Sequence, residues 1–381
     1  MPLQINDDGI YNNETFSISC SEALTLGIAL ANIYDDILIG YEKSNLAVYH
    51  ALCSGILSCG KNIWNCGECT QSQLRFCMQT TKINSGIYID SSFRNIKIIP
   101  FSRFGFTLST NEETILSESM DTAKKYAIAE QTGTVTDAKT LCNMYCSQYR
   151  MIQKNLPADM SVRVNSTNPI IKKFFTSLLH EYKNNFSDEI VFNISSDGMR
   201  VSAYCDECGF IFHEKLLLIC CEYEFEKGND VPLPHSFPII ADKIAGNNNR
   251  YTYRYDPYSE NPDDLSKKMI SLEFPFLNDG IALIGKLFEI MKKKSKTISE
   301  LTKEIPNFST TMKYVELRKD PEATIKQVTS SKNNVCFNDE NGRIIARKSR
   351  NGKSLILMAE SYNTETAEEF CNNWLLKSDI R

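Results

Sequence analysis

Pairs of cysteines, which can bind a metal ion or act as a redox couple, occur in this chain of 14 cysteines. Two Cys-x-x-Cys pairs occur, Cys66/Cys69 and Cys205/Cys208, and four thiolates from two such pairs can hold zinc tetrahedrally. The two pairs of a zinc ribbon lie about 15–20 residues apart, whereas these two are far more widely separated. Most other cysteines lie in apolar stretches, where a thiol packs as a small hydrophobe. We therefore interpret the cysteines as core thiols, with a zinc site and a redox pair as alternatives.

Length and composition are typical of a folded protein of several domains. The 381 residues are 42% hydrophobic and carry a formal net charge of −5, which allows several cores and lacks the basic excess of nucleic-acid binders. The longest apolar run, 216–221, has the length of a core strand and is too short for a membrane span. The N-terminal residues do not resemble a signal peptide. We expect a cytoplasmic protein with free thiols, no nucleic-acid partner and no membrane contact.

Helical and strand patterns alternate in the first part of the chain. Apolar residues at helical spacing predict helices and short apolar runs predict strands. The predicted helices lie at 21–33, 46–59, 72–80, 110–129, 137–154 and 169–182. The predicted strands lie at 36–40, 62–66, 86–89, 96–100, 161–165, 189–194 and 201–205. Strands that alternate with helices indicate a parallel sheet covered on both faces.

The rest of the chain changes its pattern twice. A segment rich in Pro, Gly and charge at 226–237 marks a boundary, and an apolar segment at 239–245, a polar loop at 246–259 and a helix at 280–294 follow. Beyond Pro306 the predicted elements are strands at 311–317, 335–338, 342–348 and 355–360, and a helix at 364–377. The expected fold class is α/β, with three consecutive mixed α/β sandwich domains and a smaller C-terminal α+β domain. The expected domain bounds are 1–130, 131–228, 229–307 and 308–381.

Short segments match, in the right order, the characteristic loops of one family. They are Asp7-Asp8-Gly9-Ile10 at its opening loop, 54–60 at a Gly-rich segment, 67–74 at a Pro-Thr-Pro turn, 85–97 at a phosphoserine segment, 197–200 with 206–209 at a metal loop, 278–281 at an Asp-Gly-Ile helix start, and 347–353 at a phosphate loop. Through these segments the chain resembles the α-D-phosphohexomutase superfamily, which includes phosphoglucomutase, phosphomannomutase and phosphoglucosamine mutase. The chain is identified as a diverged and shortened member.

The resemblance implies transfer of a phosphoryl group within a hexose phosphate through a phosphorylated serine, with Mg²⁺ as cofactor. Ser92 falls at the phosphoserine position, with Ser91 as the alternative. Of the three aspartates in the family's metal loop only Asp197 is present, and one carboxylate holds Mg²⁺ weakly. The family's sugar-recognition loop has no match between residues 261 and 279.

The phosphate loop is the best preserved of the matched segments. It offers several hydrogen-bond donors in a short turn, namely Arg347, Ser349, Arg350, Asn351 and Lys353. Such a set suits a phosphate group. A solvated basic hairpin between two strands would account for the same residues.

The missing metal-loop aspartates and the missing sugar-recognition loop favour a phosphohexomutase-like protein of carbohydrate metabolism that is catalytically impaired. We expect such a protein to bind a phosphosugar or a protein partner. Two alternatives stay open. One is an active mutase or phosphatase that uses Ser92, and the other is a zinc- or thiol-based interaction protein built on the two Cys-x-x-Cys pairs. The four histidines are expected to be packing or surface residues, because none has clustered partners.

Overall fold

The computed structural model describes residues 3–42, 46–91, 95–123, 129–156, 161–179, 189–316, 335–339, 342–352 and 354–377. The chain forms two compact units, which we describe separately. The first comprises Met1–Leu217, Pro257–Asn261 and Pro275–Glu300, and the second comprises Leu218–Asp256, Pro262–Phe274 and Leu301–Arg381. Among the helices of the described residues, none has both the length and the apolar character needed to cross a membrane.

The fold is mixed α/β, as predicted, and the strands within the described ranges form four sheets. The strands are β1 Gln4–Asn6, β2 Gly9–Tyr11, β3 Asp36–Tyr41, β4 Asn62–Glu68, β5 Gly86–Asp90, β6 Lys97–Phe101, β7 Val135–Asp137, β8 Ser161–Ser166, β9 Glu189–Ile194, β10 Val201–Cys205, β11 Gly209–Ile211, β12 Val231–Pro234, β13 Thr252–Tyr255, β14 Ser309–Glu316, β15 Val335–Asp339, β16 Gly342–Lys348 and β17 Ser354–Ser361. The helices are α1 Cys20–Ala31, α2 Leu46–Ser58, α3 Gln71–Thr81, α4 Thr110–Thr122, α5 Lys139–Tyr149, α6 Pro169–Leu179, α7 His213–Glu226, α8 Ile240–Asn247, α9 Pro262–Ser271, α10 Gly280–Lys294, α11 Ile298–Glu304 and α12 Thr364–Lys377.

The first sheet has seven strands in the order β1-β2-β6-β5-β3-β4-β7. Strands β5, β3, β4 and β7 run parallel, whereas β1, β2 and β6 form antiparallel pairs. The predicted parallel arrangement is therefore correct only for one part of the sheet. Only residues 91–96 join β5 to β6, and a parallel crossover needs about a dozen residues. These two strands are therefore limited to an antiparallel pair.

The second sheet has the order β11-β10-β9-β8. Helix α10 packs on it, with the rings of Phe192 and Phe288 5.8 Å apart.

The apolar run 216–221, predicted to be a core strand, lies instead inside α7. All six of its residues are buried, so the run shows no helical period, and a short continuous apolar run is compatible with either state.

Two predictions for the second unit are wrong: strand β13 lies in the predicted polar loop, and α9 was not expected. Strand β12 lies within the segment predicted as a boundary. The two strands form a parallel pair of four residues each. Such short strands, containing prolines in one case and an arginine in the other, carry little periodic signal.

The last sheet is antiparallel, in the order β14-β17-β16-β15, and α12 packs on it, as expected for an α+β domain. The apolar cluster between them consists of Ile344, Ala346, Leu355, Leu357, Ala359, Cys371 and Leu375. Each of the four expected domain ranges contains one sheet, except that β7 joins the sheet of the first range.

A buried ion pair connects two parts of the second unit. Arg343 on β16 and Glu360 on β17 lie 3.2 Å apart, with only 9% and 8% of their side chains exposed. Glu360 also accepts hydrogen bonds from the N–H groups of Ile239 and Ile240 at the start of α8. Arg343 donates to the Phe237 carbonyl oxygen. The pair therefore attaches the N-terminus of α8 to the last sheet.

We expect Glu360→Ala to lower the free energy of unfolding by about 3–5 kcal/mol, because it leaves the Arg343 guanidinium buried without its carboxylate. Urea unfolding followed by circular dichroism measures the effect. Glu368→Ala removes the same charge from an exposed position of α12 and is the control. The double variant Arg343→Met/Glu360→Leu should recover most of the loss; a double variant as unstable as Glu360→Ala would contradict this account.

The start of α10 is capped by a buried carboxylate. Asp279 Oδ1 accepts hydrogen bonds from the N–H groups of Ile281 at 2.8 Å and Ala282 at 3.0 Å, and from the Tyr145 hydroxyl at 3.0 Å. Burial raises the pKa of Asp279 to about 6, although these hydrogen bonds favour the charged form.

The raised pKa of Asp279 makes stability depend on pH in a defined direction. Between about pH 4 and pH 6 the folded protein keeps this proton and the unfolded chain does not, so its contribution to stability falls as pH rises. Asp279→Asn keeps a capping side chain that cannot ionise. We expect its stability relative to the wild type to rise by about 1.4 kcal/mol per pH unit across this range, measured by urea unfolding. A difference that does not change with pH would show that Asp279 is charged throughout; Asp263→Asn, at an exposed position, is the control.

Candidate functional site

The predicted phosphoserine segment follows β5 in the first unit. Strands β3 and β5 are parallel neighbours, so the residues after both strands lie at the same edge of the sheet. Ser91 donates hydrogen bonds from its N–H group at 3.2 Å and from its hydroxyl at 2.9 Å to the carboxylate of Glu42, which follows β3. Ser92 lies outside the described residues. The structure thus pairs Ser91 with a carboxylate that sequence reasoning did not connect to it.

The segment matched to the metal loop is the tight turn between β9 and β10. Asp197 Oδ1 accepts hydrogen bonds from the Ser195 hydroxyl and, at 2.9 Å, from the N–H group of Met199. Arg200 forms an ion pair with Glu214 at 2.6 Å. The Asp197 carboxylate therefore stabilises its own turn, and the neighbouring cation has a carboxylate partner.

The trailing part of the matched metal loop forms the turn between β10 and β11. Asp206 is exposed there, and Cys205 and Cys208 form a disulfide bond across the turn. This corrects the expectation of free thiols throughout the chain. The reason is the β10–β11 hairpin, in which Cys205 pairs with Gly209 and so lies beside Cys208.

The side chains around Asp197 do not fit a magnesium ion. Mg²⁺ takes oxygen ligands in near-octahedral geometry. Within the described residues, the only group of at least three His, Cys, Asp or Glu side chains with neighbouring donor atoms consists of thiols, those of Cys66, Cys77 and Cys142. Asp197 contributes a single carboxylate, and one of its oxygens already accepts two hydrogen bonds. The Mg²⁺ that the resemblance implies lacks a suitable donor set in this part of the chain.

Backbone contacts hold the Asp197 turn between two helices. The N–H group of Ser72, in the first turn of α3, donates to the Asp197 carbonyl oxygen at 3.3 Å, and the N–H group of Gly280 donates to the Gly198 carbonyl oxygen at 2.8 Å. A Cβ on Gly280 would lie only 2.9 Å from that oxygen, so glycine is required at this position. Three of the matched segments therefore meet through their backbones.

The segment matched to the phosphate loop is the hairpin turn between β16 and β17 in the second unit. The Ser349 N–H group donates to the Ser354 carbonyl oxygen at 2.8 Å, and the Ser349 hydroxyl accepts from the Ser354 N–H group at 2.9 Å. That hydroxyl also donates to Asn351 Oδ1 at 2.8 Å. Ser349 is buried, whereas Arg347 and Arg350 are half-buried. The structure therefore places both arginines at one hairpin that Ser349 closes.

Some predicted residues fall outside the described part of the chain, and others have structural roles. Lys353 and His180 are not among the described residues. His50 is exposed on α2. His213 is largely buried, and its Nδ1 accepts a hydrogen bond from the Val201 N–H group at 3.2 Å. Burial lowers the pKa of His213, in keeping with a neutral packing residue.

Most of the free cysteines are buried, as predicted. The buried ones are Cys53, Cys66, Cys69, Cys77, Cys142, Cys220, Cys221 and Cys371. The two Cys-x-x-Cys pairs do not combine into one zinc site, because Cys205 and Cys208 are bonded to each other. Cys66 instead lies beside Cys77 and Cys142. Sequence spacing did not reveal this group, because its members come from β4, α3 and α5.

Comparisons of sequence find low but extended similarity. No family model matches the chain. The phosphoglucosamine mutase of Thermodesulfovibrio yellowstonii is 23% identical in an alignment 400 positions long, gaps included, that covers 87% of this chain and 87% of that protein. The phosphoglucosamine mutase of Lactobacillus delbrueckii subsp. bulgaricus is 22% identical in an alignment of 388 positions that covers 84% of each chain.

Solved structures share the fold. A phosphoglucomutase/phosphomannomutase family protein from Burkholderia thailandensis superposes with a TM-score of 0.69 and 12% identity, covering 95% of this chain and 94% of that one. A putative phosphomannomutase from Thermus thermophilus gives a TM-score of 0.64 and 10% identity, with 92% and 93% covered. The predicted resemblance is therefore confirmed: the chain is similar in sequence to phosphoglucosamine mutases and has the fold of phosphoglucomutase/phosphomannomutase family structures.

Proposed function

We propose that this protein is a phosphohexomutase relative that binds a phosphosugar and does not catalyse mutase turnover. The observation that carries the proposal is the use of Asp197 within its own turn, beside Arg200 paired with Glu214. Transfer of a phosphoryl group in this family needs a divalent cation to neutralise the transferring oxygens. One carboxylate that already closes a turn is a poor ligand set for such a cation.

The β16–β17 hairpin supports retained binding of a phosphate group. Arg347 and Arg350 bring two guanidinium groups to one short turn, and the guanidinium fork matches the oxygens of a phosphate. Lys353 adds a third cation in the sequence of the same loop. Because the Ser349 hydroxyl bonds within the turn, we assign it to shaping the hairpin and the arginines to holding the phosphate.

Arg347→Ala and Arg350→Ala should each weaken binding of glucosamine 6-phosphate about 10-fold. Each change removes a hydrogen bond to a charged group, worth about 1.5 kcal/mol. Isothermal titration calorimetry on the full chain measures the dissociation constants.

The control is Lys303→Ala, which removes a cation from an exposed position of α11 and should leave the affinity unchanged. Glucosamine without a phosphate should not bind measurably. If both arginine variants bind as tightly as the wild type, the hairpin is not the phosphate site. If the wild type binds no hexose phosphate, the binding part of the proposal is wrong.

A second candidate function is an active phosphotransferase, and the contact between Ser91 and Glu42 favours it. A hydroxyl that donates to a carboxylate at 2.9 Å has the geometry of a nucleophile and its base. In such a step the Ser91 oxygen would bond to phosphorus and its proton would pass to Glu42, while the donor's P–O bond would break and the released sugar oxygen would take a proton and leave as a hydroxyl. Intact-mass spectrometry after incubation with glucose 1,6-bisphosphate distinguishes the two functions. Our proposal requires an unchanged mass; a stable phosphoryl addition that Ser91→Ala or Ser92→Ala abolishes would favour the second.

Coupled assays with glucose, mannose and glucosamine phosphates in the presence of added Mg²⁺ should detect no mutase turnover. The physical reason is the missing carboxylate set around Asp197. A phosphoglucosamine mutase assayed in parallel is the positive control. Turnover above about 1 s⁻¹, the low end of ordinary enzymes, would overturn the proposal.

A further inference from the structure

Four cysteines meet in one buried core of the first unit. Cys66 and Cys69 come from the end of β4 and the residue after it, Cys77 from α3, and Cys142 from the first turn of α5. All four are at most 7% exposed. The sulfur atoms of Cys66, Cys77 and Cys142 lie within 4.8 Å of one another, and Cys69 is buried in the same apolar cluster. We name these four residues the thiol cluster.

The spacing of the Cys66, Cys77 and Cys142 sulfur atoms is close to that of a tetrahedral metal site. Zinc–sulfur bonds are about 2.3 Å long, which sets the sulfur–sulfur edges of a tetrahedron at about 3.8 Å. The Cys77 and Cys142 sulfur atoms lie 3.8 Å apart. The remaining distances within the group of three need to shorten by at most about 1 Å to reach that edge, which is within the range of side-chain rotation.

The backbone at the Cys-x-x-Cys pair is shaped to turn both thiols inward. Gly67 has φ +69, a conformation that favours glycine, and its N–H group donates to Asn65 Oδ1 at 2.8 Å. This bend follows Cys66 directly and returns the chain so that Cys69 is also buried. Two cysteines separated by two residues are a usual arrangement for offering two thiolates to one metal.

We propose that the thiol cluster binds one structural zinc ion through Cys66, Cys77 and Cys142, with Cys69 as the fourth ligand. Binding breaks the S–H bonds of the ligating thiols, forms Zn–S bonds and releases the protons to solvent, with no change of oxidation state. The soft, tetrahedral sulfur set selects zinc over the hard Mg²⁺. The site connects β4, α3 and α5. It depends neither on the β16–β17 hairpin nor on catalytic turnover.

The direct test is metal analysis of the full chain, purified with a reductant that does not bind metals and without added chelator. We expect about one zinc per chain, with X-ray absorption showing sulfur neighbours at about 2.3 Å. Zinc replaced by Co²⁺ should give the absorption bands of a tetrahedral thiolate complex. These measurements use the wild type, so they do not depend on whether a variant folds.

Variants then assign the ligands. Cys77→Ser and Cys142→Ser should each reduce bound zinc to well below one per chain and lower the midpoint of thermal unfolding. Cys53→Ser, at a buried thiol of α2 in a different core cluster, is the matched control and should keep its zinc. A reduced, folded wild type that contains no stoichiometric zinc and takes up no Co²⁺ would overturn the proposal. Stoichiometric iron or copper in place of zinc would also overturn it, and so would full zinc content in both ligand variants.

Discussion

The first unit depends on a close approach of two backbones, in which the N–H group of Gly280 donates to the Gly198 carbonyl oxygen at 2.8 Å. No side chain fits at Gly280, so the start of α10 lies directly against the β9–β10 turn. Ser72 contacts the same turn through its N–H group. Helix α3, which begins at this contact, also carries Cys77. Helix α3 therefore contacts the Asp197 turn at its first turn and carries one member of the thiol cluster further along.

Elements with strong periodicity and clear caps were predictable from the sequence. The helix predicted at 280–294 has these bounds in the structure, because Asp279 caps its start and three lysines lie in its last turn. The helix at 364–377 is likewise correct. Strand β13 was not predictable, since four residues between turns give no reliable alternation. The interpretation of residues 216–221 was wrong for a different reason. A helical segment that is buried on every side has no polar face, so its sequence shows no helical periodicity.

The matched loops could be located from the sequence, whereas the hydrogen bonds of their side chains could not. Matching loops identified Asp197 and the residues of the hairpin, and the structure brings the first of these against α3 and α10. The hydrogen-bond partners of the Asp197 carboxylate depend on the conformation of its turn. Residue types alone do not determine that conformation. The thiol cluster was hidden for a different reason. Cys77 and Cys142 are distant in sequence, and only the packing of α3 against α5 brings their sulfur atoms together.

The contact of Gly280 with the β9–β10 turn distinguishes two kinds of substitution, those that change only a side chain and those that move the backbone. Replacing a metal-binding aspartate changes a side chain and leaves the chain path as it was, whereas adding a side chain at Gly280 would force the path itself to move. In this chain the N–H group of Gly280 holds the β9–β10 turn through the Gly198 carbonyl oxygen, and Asp197 is the one aspartate of that turn. Carboxylates added to this turn by substitution would therefore change its side chains and leave its backbone path as it is.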